Sequence, residues 1–360
     1  MRILHVLNHV QEIGNGIVNA AIDLACYQAK AGFDVAVASG GGEYEALMKR
    51  YGVQHFDLDQ RRHPIVILNA AQKFNRIVRN FAPDVVHTHM MTGVVLARVL
   101  RGNADYALIS TVHNEWQRSA NWMGIADRVI TATQAVANSM QQRGIPARKL
   151  VVVRCGTIGS LRRTSLDAVE PLPLKRPAVV TVAGMFPRKG ISTLLEAFVQ
   201  MADEHPAAHL YLVGDGPYRS QFEQQARESS WHDRIHFEGF QAEPQRYLLS
   251  TDVFVLASHQ EPFGLVLAEA REAGCAIVAS DVDGIPEVLD HGRAGLLVPP
   301  KDATALAAAL HQLLSRQDDL NKWRNCAQQN LDWLRVDRMH EETLKVYRDA
   351  LGAKAQIGCA

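Results

Sequence analysis

Two glutamates lie in the stretch HQEPFGLVLAEA with seven residues between them. Glu261 precedes the run Phe263-Gly264-Leu265, and Glu269 lies in the amphipathic stretch that follows. On a continuous helix the two carboxylates would be offset by about 12 Å along the axis, so they cannot act as an adjacent acid and base. A helix that begins near Gly264 would instead offer its first backbone N–H groups to an anion. The alternative is that Glu269 only faces solvent.

Three further loops place glycines or cations after strand-like runs. In VAGMFPRKG, Arg188 and Lys189 precede the next helix, where two cations could meet a diphosphate or form a solvated basic turn. In LVGDGP, Asp215 lies between two glycines and could line a nucleotide pocket or belong to a tight turn. In EIGNGIVNAA, Gly14 and Gly16 would let the backbone approach a ligand, or would only form a turn.

Three histidines end predicted strands in the first half of the chain: His87 and His89 in DVVHTHMM, and His113 in STVH. At such positions histidines could be general bases, phosphate partners or metal ligands, or they could be buried and satisfied. The sequence has no H-E-x-x-H motif and no Asp, Glu or Cys at ligand spacing nearby, so we expect no metal site. A P-loop and a G-x-S-x-G elbow are absent, and Asn19 breaks the G-x-G-x-x-G pattern of an NAD-binding fold.

The elements that must position these residues follow a simple pattern. Short apolar runs alternate with longer amphipathic stretches in both halves, which indicates βαβ units and parallel sheets. We predict two Rossmann-like α/β domains, at 1–165 and 175–337, with a hinge within the Pro- and charge-rich segment 159–177. Residues 338–351 carry an apolar stripe at helical spacing, which needs a surface to cover it.

The composition indicates a soluble globular protein. Of its 360 residues, 47% are hydrophobic and 21% are charged, and no apolar run is long enough to span a membrane. The first residues lack the pattern of a secretory signal, so we expect a cytoplasmic protein. The five cysteines form no C-x-x-C pair, which predicts reduced thiols. They are Cys26, Cys155, Cys275, Cys326 and Cys359.

The zero net charge conceals two oppositely charged halves. Residues 1–160 carry 17 Lys and Arg against 11 Asp and Glu, whereas residues 161–360 carry 21 against 27. A basic half suits an anionic acceptor or a membrane surface, although such an excess is also common without functional meaning.

A basic amphipathic helix is predicted at 65–81. Its expected buried face consists of Ile67, Ala71, Phe74, Ile77, Val78 and Phe81. Its basic residues are Lys73, Arg76 and Arg79, with Arg61 and Arg62 nearby in the sequence. The helix could rest on anionic lipid at the inner face of the membrane, or it could be a core-packed helix with a solvated basic face.

Taken together, the motifs resemble the retaining glycosyltransferase family 4, which has the GT-B fold. The matching stretches are GNG at 14–16, VVHTH, TVH at 111–113, FPRKG, VGDGP, FEGF, EPFGLVLAEA and GIPEVLDHGRAGLLVP. They extend over essentially the whole chain, and the two-glutamate block with PFGL is the most specific. The resemblance implies two facing Rossmann-like domains with a deep inter-domain cleft, the first binding the acceptor and the second the nucleotide-sugar donor. It also implies a C-terminal helix, at about 338–360, that crosses back to the first domain.

The resemblance implies roles for four residues in the reaction. Arg188 and Lys189 would contact the donor diphosphate, Glu261 would lie at the donor sugar and phosphate, and His113 would lie at the sugar. Because the cations and helix N–H groups stabilise the leaving diphosphate, we expect activity without a divalent metal.

The resemblance also implies a set of donor-binding residues. They are Gly16, Asp215, Phe240, Phe263, Gly264, Leu265, Glu269 and Glu287. Glu269 would hold the ribose hydroxyls, Asp215 and Phe240 would lie at the nucleotide, and Gly16 would approach the diphosphate from the first domain. Glu287 matches a position that is often acidic in the family.

The implied reaction transfers a hexose from a nucleotide sugar, a UDP-sugar or a GDP-sugar, with retention of the α configuration. The acceptor would be a glycan, a lipid-linked glycan or another cell-envelope molecule, and no nucleic acid is involved. Three positions depart from the family pattern: Gly184 replaces an arginine, Cys155 an asparagine and Asn15 a glycine. Two alternatives therefore stay open, a nucleotide-sugar 2-epimerase of similar fold and a non-catalytic nucleotide-sugar-binding relative.

Overall fold

The computed structural model describes residues 1–61, 63–114 and 116–358, with side chains up to residue 354. Arg62 of the predicted basic helix region and Cys359 lie outside the described residues. The chain divides into two compact units. The first comprises Met1–Arg162 together with the chain from Trp333 onward, and the second is Arg163–Asp332. Each unit has its own parallel sheet, which confirms the predicted α/β fold class.

The first unit contains a seven-stranded parallel sheet in the order β3-β2-β1-β4-β5-β6-β7. Its strands are β1 (Arg2–Val6), β2 (Asp34–Ser39), β3 (Gln54–Asp57), β4 (Val85–Thr88), β5 (Ala107–Val112), β6 (Arg128–Thr131) and β7 (Leu150–Val152). Its first helices are α1 (Gly16–Lys30), α2 (Glu45–Arg50), α3 (Pro64–Phe81), α4 (Met91–Val99) and α5 (Gln134–Gln142). Because helices connect the parallel strands, the central strands are buried on both faces and read as continuous apolar runs.

The second unit contains a six-stranded parallel sheet in the order β10-β9-β8-β11-β12-β13. Its strands are β8 (Ala178–Val182), β9 (His209–Val213), β10 (Ile235–Gly239), β11 (Val253–Leu256), β12 (Ala276–Ser280) and β13 (Leu296–Val298). Its helices are α6 (Ile191–Met201), α7 (Arg219–Arg227), α8 (Gln245–Leu248), α9 (Leu265–Glu272), α10 (Ile285–Val288), α11 (Ala303–Ser315) and α12 (Gln317–Ala327). In both sheets the strand order reverses beside the first strand of the unit, which is the topological switch point where ligands bind.

The last helix, α13 (Val336–Gly358), belongs to the first unit and packs on α1 and β5. The apolar stripe of this helix is covered by the first unit, as its sequence required. Its residues Met339, Thr343, Val346 and Tyr347 are buried. The segment around Cys155 is joined to the 3₁₀ turn Asp332–Leu334 that precedes this helix, since the Thr157 N–H donates to the Leu334 carbonyl at 2.9 Å. Cys155 itself is buried, and burial raises the pKa of its thiol to about 12, so it is an unreactive packing residue.

The basic helix α3 packs one face into the core and exposes the other at the surface. Phe74, Ile77, Val78 and Phe81 are buried as predicted, while Ile67 and Ala71 are only partly covered. Near its N-terminus, two apolar side chains that the sequence analysis did not single out are exposed, Ile65 at 65% and Leu68 at 67%. Within the described part of the chain, none of the helices combines the length and the apolar character needed to cross a membrane.

Candidate functional site

The two glutamates of the 259–270 stretch lie on different elements. Glu261 is in the loop after β11, and α9 begins at Leu265, directly after Gly264 in the left-handed conformation with φ +83°. Glu269 lies more than one turn inside α9 and is buried. Phe263 is also buried. The two carboxylates are therefore not an adjacent pair, in agreement with the sequence analysis.

The loop that carries Arg188 and Lys189 is fastened to the loop that carries Glu261. The His259 N–H donates to the Arg188 carbonyl at 2.7 Å. Gly190 follows with φ +67°, and a Cβ at this position would lie 1.8 Å from the Ala257 carbonyl oxygen. Only glycine permits this approach, so the N-terminal end of α6 is held beside the strand end that precedes α9.

This edge of the second unit has the features of an anion site. In the part of the chain that the structure describes, no side chain caps the N-terminus of α6 or of α9. Both helices therefore begin at a glycine with first-turn N–H groups that no side-chain cap occupies, and each carries the partial positive charge of a helix N-terminus. Lys189 and Arg188 add formal positive charge at the same edge.

Lys189 and Glu261 form an ion pair at this edge. The Lys189 ammonium contacts Oε2 of Glu261, and the two side chains are only 15% and 10% exposed. The Glu261 N–H donates to Oδ2 of Asp283 at 2.8 Å. Burial raises the pKa of Asp283, and the nearby Glu261 carboxylate adds to the rise while this hydrogen bond opposes it. The cation is thus fixed in position by a network that spans three loops.

The buried Glu269 has a cationic neighbour that the sequence analysis missed. Nη1 of Arg163 lies 3.9 Å from Oε1 of Glu269, and its Nη2 lies 3.3 Å from Oε2 of Glu272. Arg163 is far away in the sequence and belongs to the segment that had been assigned to the hinge, so no local pattern pointed to it. Glu287 lies half-buried on α10.

The ends of β8, β9 and β10 bring three aromatic side chains to the surface. Phe186, Tyr218 and Phe240 are 39%, 38% and 43% exposed. Nearby, Oδ1 of Asp215 accepts the Gly216 N–H at 2.7 Å, and Arg219 lies 3.4 Å from its other oxygen.

The structure gives a steric reason for the glycine at position 184, where the family pattern has an arginine. A Cβ at Gly184 would lie 3.2 Å from the Phe186 ring, so this ring covers the direction that a longer side chain would take. The third departure, Asn15, also has a physical reason: its side-chain oxygen accepts the Ile17 N–H at 3.0 Å and caps α1. Gly16 is the first residue of α1.

The first unit contains a cavity of about 260 Å³ at the carboxyl ends of β4 and β5. His89, Thr111 and His113 contribute to its wall together with the start of α4 and the 3₁₀ segment Arg118–Ile125. Asn8, Ile17, Gln60 and Arg61 also line it. His113 is partly exposed, whereas His89 and Thr111 are buried.

The predicted histidines come together with a fourth, His5 on β1. His5 lies opposite His87 in the register of β1 and β4, and His89 follows two residues later on the same face. Burial lowers the pKa of His5 to about 4 and that of His113 to about 4, and it lowers those of His87 and His89 still more clearly. All four imidazoles are therefore neutral at pH 7. The ligand atoms of His5, His87 and His89 lie within 4.8 Å of one another, a spacing that a metal ion could use; the expectation of no metal stays a prediction.

Both units are doubly wound α/β structures with their candidate residues at the carboxyl ends of parallel strands, the architecture of two-domain Rossmann-like enzymes. Residues 162–330 match the family model "Glycosyl transferases group 1", and residues 14–157 match the model "Glycosyltransferase Family 4". The two models together match most of the chain. The chain therefore belongs to the glycosyltransferases that they describe and is a glycosyltransferase of the group 1 type.

Curated relatives agree with this assignment, and solved structures share the fold. The lipopolysaccharide core biosynthesis glycosyltransferase LpsD of Rhizobium meliloti is 29% identical in an alignment of 279 positions that covers 76% of this chain and 74% of LpsD. Glycogen synthase of Mycobacterium tuberculosis is 27% identical in an alignment of 288 positions that covers 72% of this chain and 67% of that protein. Among solved structures, Anabaena Alr3699/HepE in complex with UDP superposes with a TM-score of 0.81 at 20% identity, covering 97% of this chain and 100% of that one. Such a structural likeness at this identity shows the fold.

Proposed function

We propose that this glycosyltransferase moves a hexose from a nucleotide-sugar donor to a glycan or lipid-linked acceptor, with retention and without a divalent metal. The observation that carries the proposal is the anion site of the second unit. There the uncapped N-termini of α6 and α9 lie beside the fixed cation of Lys189. A nucleoside diphosphate is the leaving group that such a site suits best, because it carries negative charge that grows as the bond to the sugar breaks.

In the proposed reaction, the bond between the sugar C1 and the diphosphate oxygen breaks while the acceptor oxygen forms a bond to C1 on the same face. The acceptor proton passes to the departing phosphate oxygen. Lys189, Arg188 and the backbone N–H groups at Gly264 and Leu265 stabilise the developing charge on the diphosphate, and this supplies the charge neutralisation that a metal ion gives in other enzymes. Glu261 holds Lys189 in place and lies at the donor sugar.

For the nucleotide, we propose a uridine diphosphate. The exposed rings at the ends of β8, β9 and β10 offer apolar surface to a base, and Asp215 lies beside them. Glu269 would accept hydrogen bonds from the ribose hydroxyls, with its charge balanced by Arg163. Anabaena Alr3699/HepE, which shares the fold, has been solved with UDP and with UDP-glucose. A GDP-sugar is the second donor to test.

For the acceptor, we propose a cell-envelope molecule reached through α3 at an anionic membrane. Exposed Ile65 and Leu68 provide apolar contact, and the exposed Arg76 and Arg79 provide positive charge on the same helix. The match to LpsD, which is named for lipopolysaccharide core biosynthesis, supports this class of acceptor. Sedimentation with vesicles should show binding that requires anionic lipid, and equal partitioning with neutral vesicles would rule out this contact.

A donor screen tests the proposed function. A ligand that binds only the folded state raises the melting temperature, so UDP-, GDP- and ADP-sugars are compared by thermal shift in the presence of EDTA. The donor that gives a shift is then incubated with a lipid-linked glycan, and NMR reports the configuration of the new glycosidic bond. We expect a UDP-sugar shift and an α product. A modified sugar nucleotide without acceptor would indicate an epimerase, and binding without any turnover would indicate a non-catalytic relative.

A further inference from the structure

A chain of three imidazoles leads from the interior of the first unit to its cavity. Nε2 of His5 lies 2.8 Å from Oε1 of Gln28 on α1, and Nδ1 of His5 lies 3.0 Å from Nε2 of His89. Nδ1 of His89 then lies 3.1 Å from Nε2 of His113, which is partly exposed in the cavity wall. Each ring thus uses one nitrogen toward Gln28 and the other toward the cavity.

The same Gln28 amide begins a second chain that also ends at the cavity. Its Nε2 donates to the Tyr347 hydroxyl on α13 at 3.4 Å. The Tyr347 oxygen lies 2.6 Å from Nδ1 of His87, and Nε2 of His87 lies 2.6 Å from Oγ1 of Thr111. Every member of this chain is buried.

A neutral imidazole has one donor and one acceptor nitrogen, so the first hydrogen bond of a chain determines all the others. The Gln28 carbonyl oxygen accepts only, so Nε2 of His5 carries the proton and Nδ1 of His5 accepts. His89 must then donate through Nε2, and His113 must donate through Nε2. This leaves Nδ1 of His113 as an acceptor, and no residue that the structure describes hydrogen-bonds to that atom.

In the second chain the directions follow from the partners that each group has. The Gln28 amide N–H donates to the Tyr347 oxygen, and among the described residues His87 Nδ1 is the other hydrogen-bond partner of that oxygen, so the Tyr347 O–H donates to it and the His87 Nε2–H donates to Thr111. The Thr111 oxygen is then an acceptor from His87, and its O–H can donate to a ligand in the cavity. Lowered pKa values caused by burial keep both chains neutral.

We propose that Gln28 is a positioning residue that sets the proton arrangement of both chains, so that the cavity presents an acceptor at His113 Nδ1 and a donor at Thr111 Oγ1. A turned amide would reverse both chains and exchange the two roles. The pattern fits a ligand with two neighbouring hydroxyl groups, of which one donates to His113 and the other accepts from Thr111. That this ligand is a sugar rests on the proposed function; the proton arrangement does not.

Long-range ¹H–¹⁵N NMR of the full chain with labelled histidine tests the proposal, because it shows which ring nitrogen carries the proton. For the wild-type protein at pH 7 without ligand, His5, His87, His89 and His113 should all be in the Nε2–H form. A proton on Nδ1 of His113 would overturn the proposal. So would protein that purifies with one zinc ion per chain bound to His5, His87 and His89, because a metal would replace the hydrogen bonds between them.

Two variants separate the chains. Gln28→Met keeps the side-chain length but removes the acceptor, so His113 should show a mixture of both tautomers. Thr111→Val, the matched control, removes only the last member of the second chain and leaves both partners of the Gln28 amide in place, so His113 should keep its Nε2–H form. An unchanged His113 spectrum in Gln28→Met would contradict the proposal, and if that variant does not fold, the wild-type spectrum alone decides.

A ligand measurement then links the chains to function. Gln28→Met should weaken the affinity for the UDP-sugar that gives the thermal shift by about twofold when both tautomers are equally populated, because only one of them presents the acceptor. An unchanged affinity would contradict the role of His113 Nδ1 as the acceptor. Because the NMR spectrum needs no ligand, a failure of the proposed donor chemistry would remain distinguishable from a failure of the proton arrangement.

Discussion

The substitution Lys189→Ala tests the proposed anion site at its centre. The ammonium group of Lys189 is the only part of its ion pair with Glu261 that could contact a diphosphate attractively, since the partner is a carboxylate. The variant therefore removes a fixed positive charge from the N-terminal edge of α6 and α9. Loss of one preorganised group at a developing oxyanion lowers kcat by about 10²–10³, or about 2.7–4 kcal/mol of transition-state stabilisation.

The same variant affects stability through the carboxylate that it leaves behind. Both side chains of the pair are mostly covered, so an unpaired Glu261 should reduce the free energy of unfolding by about 1–3 kcal/mol. Adding Glu261→Gln removes the uncompensated charge. The double variant should therefore regain most of the melting temperature but none of the lost turnover, which separates the catalytic effect from the structural one.

Release of UDP from a UDP-sugar at saturating concentration is the assay. Lys322→Ala is the matched control, because Lys322 is an exposed lysine of the same unit, on α12 and outside the anion site. The control should keep wild-type turnover. If Lys189→Ala also keeps it, with a native circular dichroism spectrum, the assignment of the diphosphate to this edge is refuted.

Three further predictions concern the loops, the histidines and metal ions. Gly190→Ala should be far more destabilising than Gly292→Ala, although both glycines have positive φ. The new Cβ would lie 1.8 Å from the Ala257 carbonyl oxygen in the first variant, whereas in the second its nearest neighbour would be 3.7 Å away. Equal melting temperatures of the two variants would contradict this steric argument. Burial lowers the pKa of His5 to about 4, below the roughly 6.5 of an unfolded histidine. As the pH falls, the unfolded chain therefore takes up the proton first. For this reason the free energy of unfolding should fall by about 3 kcal/mol between pH 6.5 and pH 4. His5→Asn should remove this one contribution and so reduce the pH dependence of the denaturation midpoint, while His87, His89 and His113 keep theirs. The exposed control His232→Asn should leave the slope unchanged, and the same slope in all three proteins would disprove the burial effect. EDTA should leave turnover unchanged, and activity that returns only with magnesium or manganese would show a metal requirement.

The fold could be predicted from sequence because most strands are apolar runs between clear turns. Two elements of the first unit, α5 and β7, are not marked by such a pattern. The helix α5 is short and largely polar, and it begins where the Thr133 hydroxyl accepts the Val136 N–H, a cap within a stretch that reads as a loop. The strand β7 has three residues and pairs only with β6 at the edge of the sheet, so it lacks the length that marks a strand.

The position of the anion site was predictable, but its internal contacts were not. Arg188, Lys189 and Glu261 lie in loops that follow predicted strands. Because parallel strands bring their carboxyl ends to one edge of the sheet, these residues can be expected at the same edge. The ion pair joins residues 72 positions apart in the chain, and no periodicity encodes it.

The histidine chains escaped the sequence analysis for a related reason. His5 stands within a run that reads as an ordinary buried strand, and Tyr347 appeared only as one member of an apolar stripe. The register of β1 and β4 places His5 opposite His87 and so brings His5 into the chain of imidazoles. Register is set by tertiary pairing and cannot be read from either strand alone.

The central claim is that the second unit binds the diphosphate of a nucleotide sugar without metal. Calorimetric titration of UDP in the presence of EDTA tests it most directly, with wild type, Lys189→Ala and the control Lys322→Ala. We expect one UDP per chain for the wild type and the control, and binding weakened at least about tenfold by Lys189→Ala, the equivalent of about 1.4 kcal/mol. The claim is contradicted if the wild type binds none of UDP, GDP and ADP, or if the three proteins bind UDP with equal affinity.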